Sequence, residues 1–499
     1  MKEMDEEEND MLVNQNYNQT FQFRMCTEEQ LCRLHFATLE VLERTGVKIY
    51  EKEALTLLKD GGAYVDDEQM VAKIPAWMVE EAIRTAPSRI PVADMTGKRT
   101  MFLERNNVYY GSGTDLPSFT DIYTDEVRPT TLKDIENVAR VIESCDNFSF
   151  VSNNGLANDV PQELHDLVSL KVMRSHCKKP NLVTATDKGN LQALIDMAAE
   201  MAGGYDELRR NPTLLLYNEP VSPLMNSMEA VQKLLLCAEY GIPTTYAAGG
   251  VSGGTSPVTL SGSIVQSNAE GLAGLVMHQL KRKGSPFIYG YVYGAMDMKT
   301  TVNIYGGPEL GMVHTIMAEL GKFYGLPVYG TSGCTDAIRV DAQAGMEAMY
   351  SIMCAALSGA NLVHDNGYTG IGLIGSLEML LLCDETISFV KRLTQGIKYD
   401  DESIALDIIH KVGHGGDYVS QKHTVKHFKE EVFYPDFLNR KQYPSWKEDG
   451  QRTINEKLKE RAVEIIEKDA PVLLDDHTLK VFDEIYADRK RQMETEKRQ

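Results

Sequence analysis

The sequence predicts an α/β protein whose main body is one closed TIM-type (β/α)8 barrel, with an N-terminal helical cap and a C-terminal helical extension. Two observations carry this. Between about residues 107 and 395, short β-branched or aromatic runs alternate eight times with amphipathic helical stretches of ten or more residues. Glycine-rich and polar residues then gather directly after those runs, where a barrel builds its active site. The alternation requires right-handed crossovers and a parallel sheet. An open doubly wound sheet accommodates the same pattern, but eight units in a row favour closure, which leaves no edge strand.

In chain order, residues 1–20 are polar and acidic and read as a frayed tail. Thr27-Glu28-Glu29-Gln30 forms a capping-box pattern that opens a helix carrying Leu31, Leu34, Leu39 and Leu42, and Gly46 ends it. Pro75 suits a second helix start, so residues 1–100 read as a cap. The barrel spans 101–395. Its strand runs are Val108–Gly111, Phe148–Asn153, Asn181–Thr186, Thr213–Glu219, Pro243–Ala248, Phe287–Tyr293, Pro327–Gly330 and Asn361–Asp365. Residues 396–499 are charged and aromatic, without a core of their own, and read as an extension wrapped on the barrel or on a partner subunit.

Composition narrows the function. The 499 residues carry 51 basic and 72 acidic side chains, a formal charge of −21, which argues against binding nucleic acid or an anionic membrane. The acidic MKEMDEEEND start lacks the basic region of a signal peptide, and no apolar run reaches the roughly 18 residues of a membrane span. Eight dispersed cysteines without paired zinc spacing read as reduced thiols. A cytoplasmic location is the expectation.

The densest aromatic feature is Phe287-Ile288-Tyr289-Gly290-Tyr291-Val292-Tyr293. Strand alternation puts Phe287, Tyr289, Tyr291 and Tyr293 on one face. Were that face turned into the barrel mouth, with Tyr110, Tyr246 and Tyr329 entering from other strands, the rings would form a cage for a quaternary ammonium ion. Such a cage holds its ligand by cation–π attraction of roughly 0.5–2 kcal/mol per ring. A packed barrel layer with satisfied hydroxyls fits the same spacing.

Asp115, Glu219, Asp297, Asp336 and Asp365 fall at the same rim, as complements to a cation or as acid and base groups. Each alone fits a helix cap or a pair with a nearby Lys or Arg better, and it is their concentration at strand ends that favours a site. Cys334 and the adjacent His364 and Asp365 invite thiol–imidazole or metal-ligand readings, but no recognisable ligand spacing supports either. His314 lies among apolar residues and reads as a core histidine. The glycine pairs lack the phosphate-binding spacing and read as tight turns or close approaches to a flat ligand.

Several stretches together resemble the trimethylamine methyltransferase family: Gly306-Gly307-Pro308-Glu309, Leu320-Gly321-Lys322-Phe323-Tyr324-Gly325-Leu326-Pro327, Gly333-Cys334-Thr335-Asp336, Asp341-Ala342-Gln343-Ala344-Gly345, Ala360-Asn361-Leu362-Val363-His364-Asp365 and Ser376-Leu377-Glu378-Met379-Leu380. Downstream, Val412-Gly413-His414-Gly415-Gly416 and His423-Thr424-Val425-Lys426-His427-Phe428 are similar to the family's C-terminal part. The resemblance runs from about residue 25 to 480. It implies a TIM-barrel enzyme that moves a methyl group from a methylated amine to the cobalt of a separate corrinoid protein. The archaeal trimethylamine enzymes carry pyrrolysine, whereas this chain has only standard residues. Members of that kind resemble demethylases of quaternary amines of betaine type.

The expected ligand is therefore a small quaternary amine. The expected substrate-binding set is Tyr110, Glu219, Tyr246, Tyr289, Tyr291, Tyr293, Tyr329, Asp336, His364 and Asp365. His364 is a candidate for the substrate's carboxylate, and no residue is singled out as catalytic. The expectation includes no bound metal or tightly held cofactor, a corrinoid (cobalamin) brought by its partner protein, and a homo-oligomer. A metal-dependent barrel lyase or hydrolase, or a non-catalytic betaine-binding protein, fits the same rim residues.

Overall fold

Eight short strands close on themselves. They are β1 (Tyr109–Ser112), β2 (Phe148–Phe150), β3 (Asn181–Val183), β4 (Leu214–Leu216), β5 (Thr244–Thr245), β6 (Phe287–Ile288), β7 (Tyr329–Thr331) and β8 (Leu362–Asn366). Every neighbouring pair is parallel, and β8 pairs β1. The β2–β3 and β6–β7 joints are single bridges, Val151 to Asn181 and Tyr289 to Val328. The fold is thus the closed barrel that the alternation predicts. The computed structural model describes residues 23–497, so the acidic tail of residues 1–20 lies outside the described residues.

One helix follows each strand: α1 (Leu132–Ser144), α2 (His165–His176), α3 (Lys188–Ala202), α4 (Met228–Tyr240), α5 (Leu260–Lys281), α6 (Pro308–Phe323), α7 (Ala342–Ser358) and α8 (Leu377–Thr394). Their starts are chemically marked. Asp187, Ser227, Asp341 and Ser376 accept hydrogen bonds from first-turn amides, and Pro308 opens α6, where a missing N–H costs nothing.

Period two along the strands, broken by a register shift between β1 and β2, sorts side chains into two shells. Tyr109, Phe150, Leu182, Leu215, Ile288, Tyr329 and Leu362 fill the barrel interior. Tyr110, Phe148, Val183, Leu214, Leu216, Phe287 and Val363 face the helices. The interior cluster is completed from below by a hairpin, Ile90–Ala93 paired with Arg99–Leu103, which contributes Ile90, Val92, Met101 and Leu103. Its position at the strand starts follows from two bonds. Phe102 N–H donates to Tyr109 Oη at 3.0 Å, and Ala93 N–H donates to Pro212 O at 2.8 Å. The bottom of the barrel is a packed plug.

Ahead of the hairpin, helices Glu28–Glu40, Lys52–Gly61 and Ala76–Thr85 lie against α5, and the Thr27–Gln30 capping box is formed. This segment is more than helical, since Val47–Ile49, Val71–Lys73 and Tyr64–Asp66 form a small sheet joined by Met225–Asn226. At the other end of the chain, helix Ile454–Glu467 packs on α1 and α8, and helix Asp476–Glu496 packs on α3 and α2. Arg489 pins the latter: buried at 4 % exposure, it donates to both oxygens of Asp187 (2.9 and 3.0 Å) and to Asn190 Oδ1 (2.8 Å). Between α8 and these helices, residues 397–450 include no buried side chain. Among the described residues no helix is long and apolar enough to cross a membrane.

Candidate functional site at the barrel mouth

The aromatic strand alternates with the opposite sense to the one a cage requires. Ile288 and Val292 face the interior, while Phe287, Tyr289, Tyr291 and Tyr293 face outward into the layer beneath the helices. Tyr289 donates to Asn268 Oδ1 on α5 at 2.8 Å, and Tyr291 meets its ring edge-on at 6.4 Å. Tyr110 and Tyr246 are outward as well: Tyr110 donates to Ile352 O on α7 at 3.3 Å, and Tyr246 to Asn226 Oδ1 at 2.8 Å. These five tyrosines therefore do not surround a ligand in the mouth. In a parallel strand covered on both faces each face is apolar, so alternation says which residues share a face but not which face is inside.

An aromatic site nevertheless stands at the mouth, built from other tyrosines. Its centre is His364, two residues beyond the interior Leu362. Tyr217, two beyond interior Leu215, stacks on the imidazole at 5.4 Å and 12°. Tyr329 lies 5.8 Å from it and Tyr368 meets it edge-on at 6.3 Å and 77°. Tyr329 Oη is 2.9 Å from His364 Nδ1, and the same nitrogen is paired with Asp365 Oδ1. Tyr305 donates to the other oxygen of Asp365. His364 Nε2 is buried without a partner among the described residues.

The carboxylates divide by role. Glu219 Oε2 accepts from Tyr217 Oη at 3.0 Å, and Asp115 Oδ1 accepts from Asn153 Nδ2 (2.9 Å) and Thr184 Oγ1 (3.1 Å). Asp336 stands one step back, accepting from the amides of Tyr305 (2.8 Å) and Gly306 (2.9 Å), and so holds the loop that delivers Tyr305. Asp297 is a partly exposed turn residue that accepts from the Lys299 amide at 2.9 Å and the Thr300 hydroxyl at 2.9 Å, apart from the mouth cluster. Cys334 donates to Tyr305 O at 3.3 Å, and burial pushes its thiol well up, which makes it a poor nucleophile. Among the described residues no cluster of three His, Cys, Asp or Glu is disposed to hold a metal ion.

Electrostatics separate two of these acids. Burial pushes the Glu219 carboxyl up, Tyr217 partly offsets that, and the charges of Asp115 and Asp365 add to it. Burial also acts to raise Asp365, but His364 and Tyr305 outweigh it and hold the carboxyl below its ordinary range. Neighbouring carboxyls pushed apart in this way are a mark of functional sites. His314, on α6, is buried with neither ring nitrogen partnered among the described residues, and burial lowers it to about 4 against the opposing charge of Asp365. It is neutral at pH 7.

The site is reachable. Glu219 reaches the surface although the walls around its carboxyl desolvate it, and Tyr217, Asp115, Thr184, Gly249 and Val292 around it are partly exposed, so the cluster opens to solvent at the strand ends. Asp115 and Asp365 both take positive φ, +55° and +73°, a conformation that non-glycine residues hold only where surroundings enforce it. Gly113 has a different task from ligand approach. A Cβ there would lie 1.9 Å from the Tyr368 ring, whose hydroxyl accepts from Thr114 N–H and donates to Thr114 O, each at 2.6 Å. The flat group that Gly113 admits is the protein's own.

Tyr217 was within reach of the sequence, since it lies two residues before Glu219 in one strand run. Tyr305 and Tyr368 were not, because both come from segments beyond the strand ends where period two carries no information.

A barrel with such a mouth is matched over residues 1–494 by the family model described as trimethylamine methyltransferase (MTTB). The chain belongs to the trimethylamine methyltransferase family. It is 34 % identical over 449 residues to the trimethylamine methyltransferase of Desulfitobacterium hafniense (strain DSM 10664 / DCB-2), covering 89 % of this chain and 90 % of that one. It is 30 % identical over 475 residues to the trimethylamine methyltransferase of Methanosarcina thermophila (91 % and 96 % covered), and 28 % identical over 434 residues to the glycine betaine methyltransferase of Desulfitobacterium hafniense (strain Y51; 86 % and 90 % covered). The solved monomethylamine methyltransferase of Methanosarcina barkeri superimposes with a TM-score of 0.52 at 11 % identity, covering 94 % of this chain and 92 % of that one, a likeness of fold. As a member of the trimethylamine methyltransferase family the chain is a methyltransferase, and the mouth of its barrel is the site at which that chemistry is to be sought.

Proposed function

We propose that this methyltransferase removes one methyl group from a quaternary amine of betaine type, such as glycine betaine, and delivers it to the Co(I) of a corrinoid carried by a separate protein. One observation carries the reading: a solvent-reachable mouth combines a partly exposed tyrosine ring, two carboxylates and a buried histidine nitrogen without a partner among the described residues. A trimethylammonium group donates no hydrogen bond and is held by ring faces and negative charge, for which Tyr217, Glu219 and Asp115 are suited. His364 Nε2 is the group we assign to the substrate's carboxylate. These features disfavour a neutral amine, whose nitrogen carries no positive charge for the ring and carboxylates, needs a proton donor before it can leave, and brings no carboxylate for His364.

This chain's work is then positioning. The Tyr217 face and Glu219 fix the ammonium with one methyl directed out of the recess, and His364, set by Asp365 and Tyr329, orients the other end. The C–N bond breaks with its electron pair going to nitrogen, which leaves as a neutral tertiary amine, so no general acid is required. The corrinoid, when its protein docks, supplies the nucleophilic cobalt that accepts the methyl group.

The test is to incubate the protein with a reduced corrinoid and a panel of quaternary amines while following the cobalt absorption spectrum. Betaine-dependent conversion to the methylated corrinoid is expected. Its absence with every betaine overturns the proposal. Binding without transfer points to a binding protein, and chelator-sensitive turnover of another kind to a metal enzyme.

A further inference from the structure

At the floor of the barrel, opposite the mouth, the last turns of α6 and α7, the turn before β1 and the N-terminal segment from Phe23 to Leu31 enclose a cavity of about 240 Å³. Its walls are held by hydrogen bonds. Glu319 on α6 accepts from the amides of Met25 (2.6 Å) and Cys26 (3.2 Å), and Phe23 N–H donates to Leu357 O at 3.4 Å. Asn361 Nδ2 ties down the turn that carries Asn106 by donating to the carbonyls of Glu104 (3.1 Å), Arg105 (3.2 Å) and Asn107 (2.8 Å).

Two cations meet in this cavity. Arg24 has no hydrogen-bond or ion-pair partner among the described residues, and the Lys322 ammonium donates to a single carbonyl, that of Ser358. Burial, and next to it the charge of Arg24, pull the Lys322 amine down to about 8. The two acids on the wall do not neutralise the pair. Glu319 spends its oxygens on the two amides and bears on Lys322 less than Arg24 does, while Glu28 stands in the first turn of helix Glu28–Glu40, whose own amides favour its charge. Gly359, which closes α7 at φ +71°, leaves the space in which the polar groups converge: a Cβ there would lie 2.7 Å from Lys322 Nζ and 2.9 Å from Asn106 Oδ1.

We propose that this cavity binds a phosphate monoester, with the phosphate between Arg24 and Lys322 and a small apolar body against Phe23 and Phe323. Like charges brought together repel, and a dianion relieves both where a single carboxylate relieves one. A guanidinium fork grips phosphate oxygens two at a time, an ammonium adds a point charge, and the Asn106 carboxamide adds a donor. The two phenyl rings, 40 % and 44 % exposed, gain burial from the rest of the ligand. Barrel helices run antiparallel to their strands, so the ends of α6 and α7 are remote from the mouth. The ligand is therefore an effector, not the methyl donor, and this inference and the betaine reading can each fail without the other.

The experiment is calorimetric titration of the full chain with phenyl phosphate in a phosphate-free buffer near pH 7.5, where a phosphate monoester is mostly the dianion. Saturable binding of one molecule per chain is expected. Phenyl sulfate, of the same shape but with one charge, is expected to bind about tenfold more weakly or worse, and Arg24→Gln and Lys322→Gln are each expected to weaken phenyl phosphate by a similar factor. Three results overturn the proposal: no saturable binding at millimolar phenyl phosphate, affinity that Arg24→Gln leaves unchanged, or phenyl sulfate binding as tightly as phenyl phosphate. Should Lys322→Gln misfold, Arg24→Gln decides alone, since Arg24 is exposed and holds no contact on which the fold depends.

Discussion

Tyr217 and Tyr291 are both tyrosines on barrel strands, yet they have opposite uses. Tyr217 is partly exposed at the mouth, whereas Tyr291 is sealed under the helices with a hydroxyl that has no partner among the described residues. Tyr217→Leu is expected to lower kcat/KM for methyl transfer by about 3- to 30-fold with little change in Tm, given about 0.5–2 kcal/mol from a ring face. Tyr291→Leu is expected to leave kcat/KM per folded molecule nearly unchanged while shifting Tm. The reverse pattern would return the ligand to the outward face. Glu219 supplies a pH test. Its carboxyl is raised, chiefly by burial, so its negative charge is lost on acidification at a pH above the ordinary carboxylate range. KM for a quaternary amine should therefore climb as pH falls through that window, and Glu219→Gln should show a high KM at every pH, without that limb. The sign for stability runs the other way: a carboxyl raised by folding stabilises below its unfolded pKa and loses that contribution as pH rises. Glu219→Gln should thus be the more stable protein at neutral pH, measured by chemical denaturation.

At the scale of elements, the plug hairpin and the last helix are each held by identifiable contacts. Leu103 is fully buried beneath the barrel interior, so Leu103→Ala is expected to cost about 2–5 kcal/mol in denaturant unfolding while sparing the recess at the other end. Arg489→Ala leaves Asp187 and Asn190 without their buried partner, a loss of about 3 kcal/mol, and exchange should quicken first in helix Asp476–Glu496. The sequence announced the order of strands and helices well because each barrel unit is local: an apolar run, a cap such as Ser227 or Ser376, and an amphipathic helix. It was silent on the hairpin at 90–103, whose apolar residues look like any surface hairpin until the barrel they seal is closed. The tyrosine strand failed for a related reason. Its face was read correctly, but the choice between inside and outside depends on neighbours outside the strand: Asn268 on α5 takes the Tyr289 hydroxyl, as Gly274 on the same helix admits the Tyr246 ring of the preceding strand.

Across the whole molecule, the charge of −21 and the acidic mouth act on a ligand before contact. For a substrate with net positive charge, raising salt from 0.05 to 0.5 M should lower kcat/KM several-fold as screening shortens the reach of the field. A zwitterionic betaine, with no net charge, should be nearly indifferent, and the contrast is read from initial rates. The bottom plug carries a last consequence, for the ribosome. Hairpin 90–103 emerges before any barrel strand, but its apolar face is fully covered only when Leu362 of β8 arrives about 260 residues later. At roughly 5–20 residues per second, a nascent chain holds that face open for tens of seconds. For that interval the hairpin is an apolar surface open to aggregation, a hazard of synthesis that later methyl transfer does nothing to reveal.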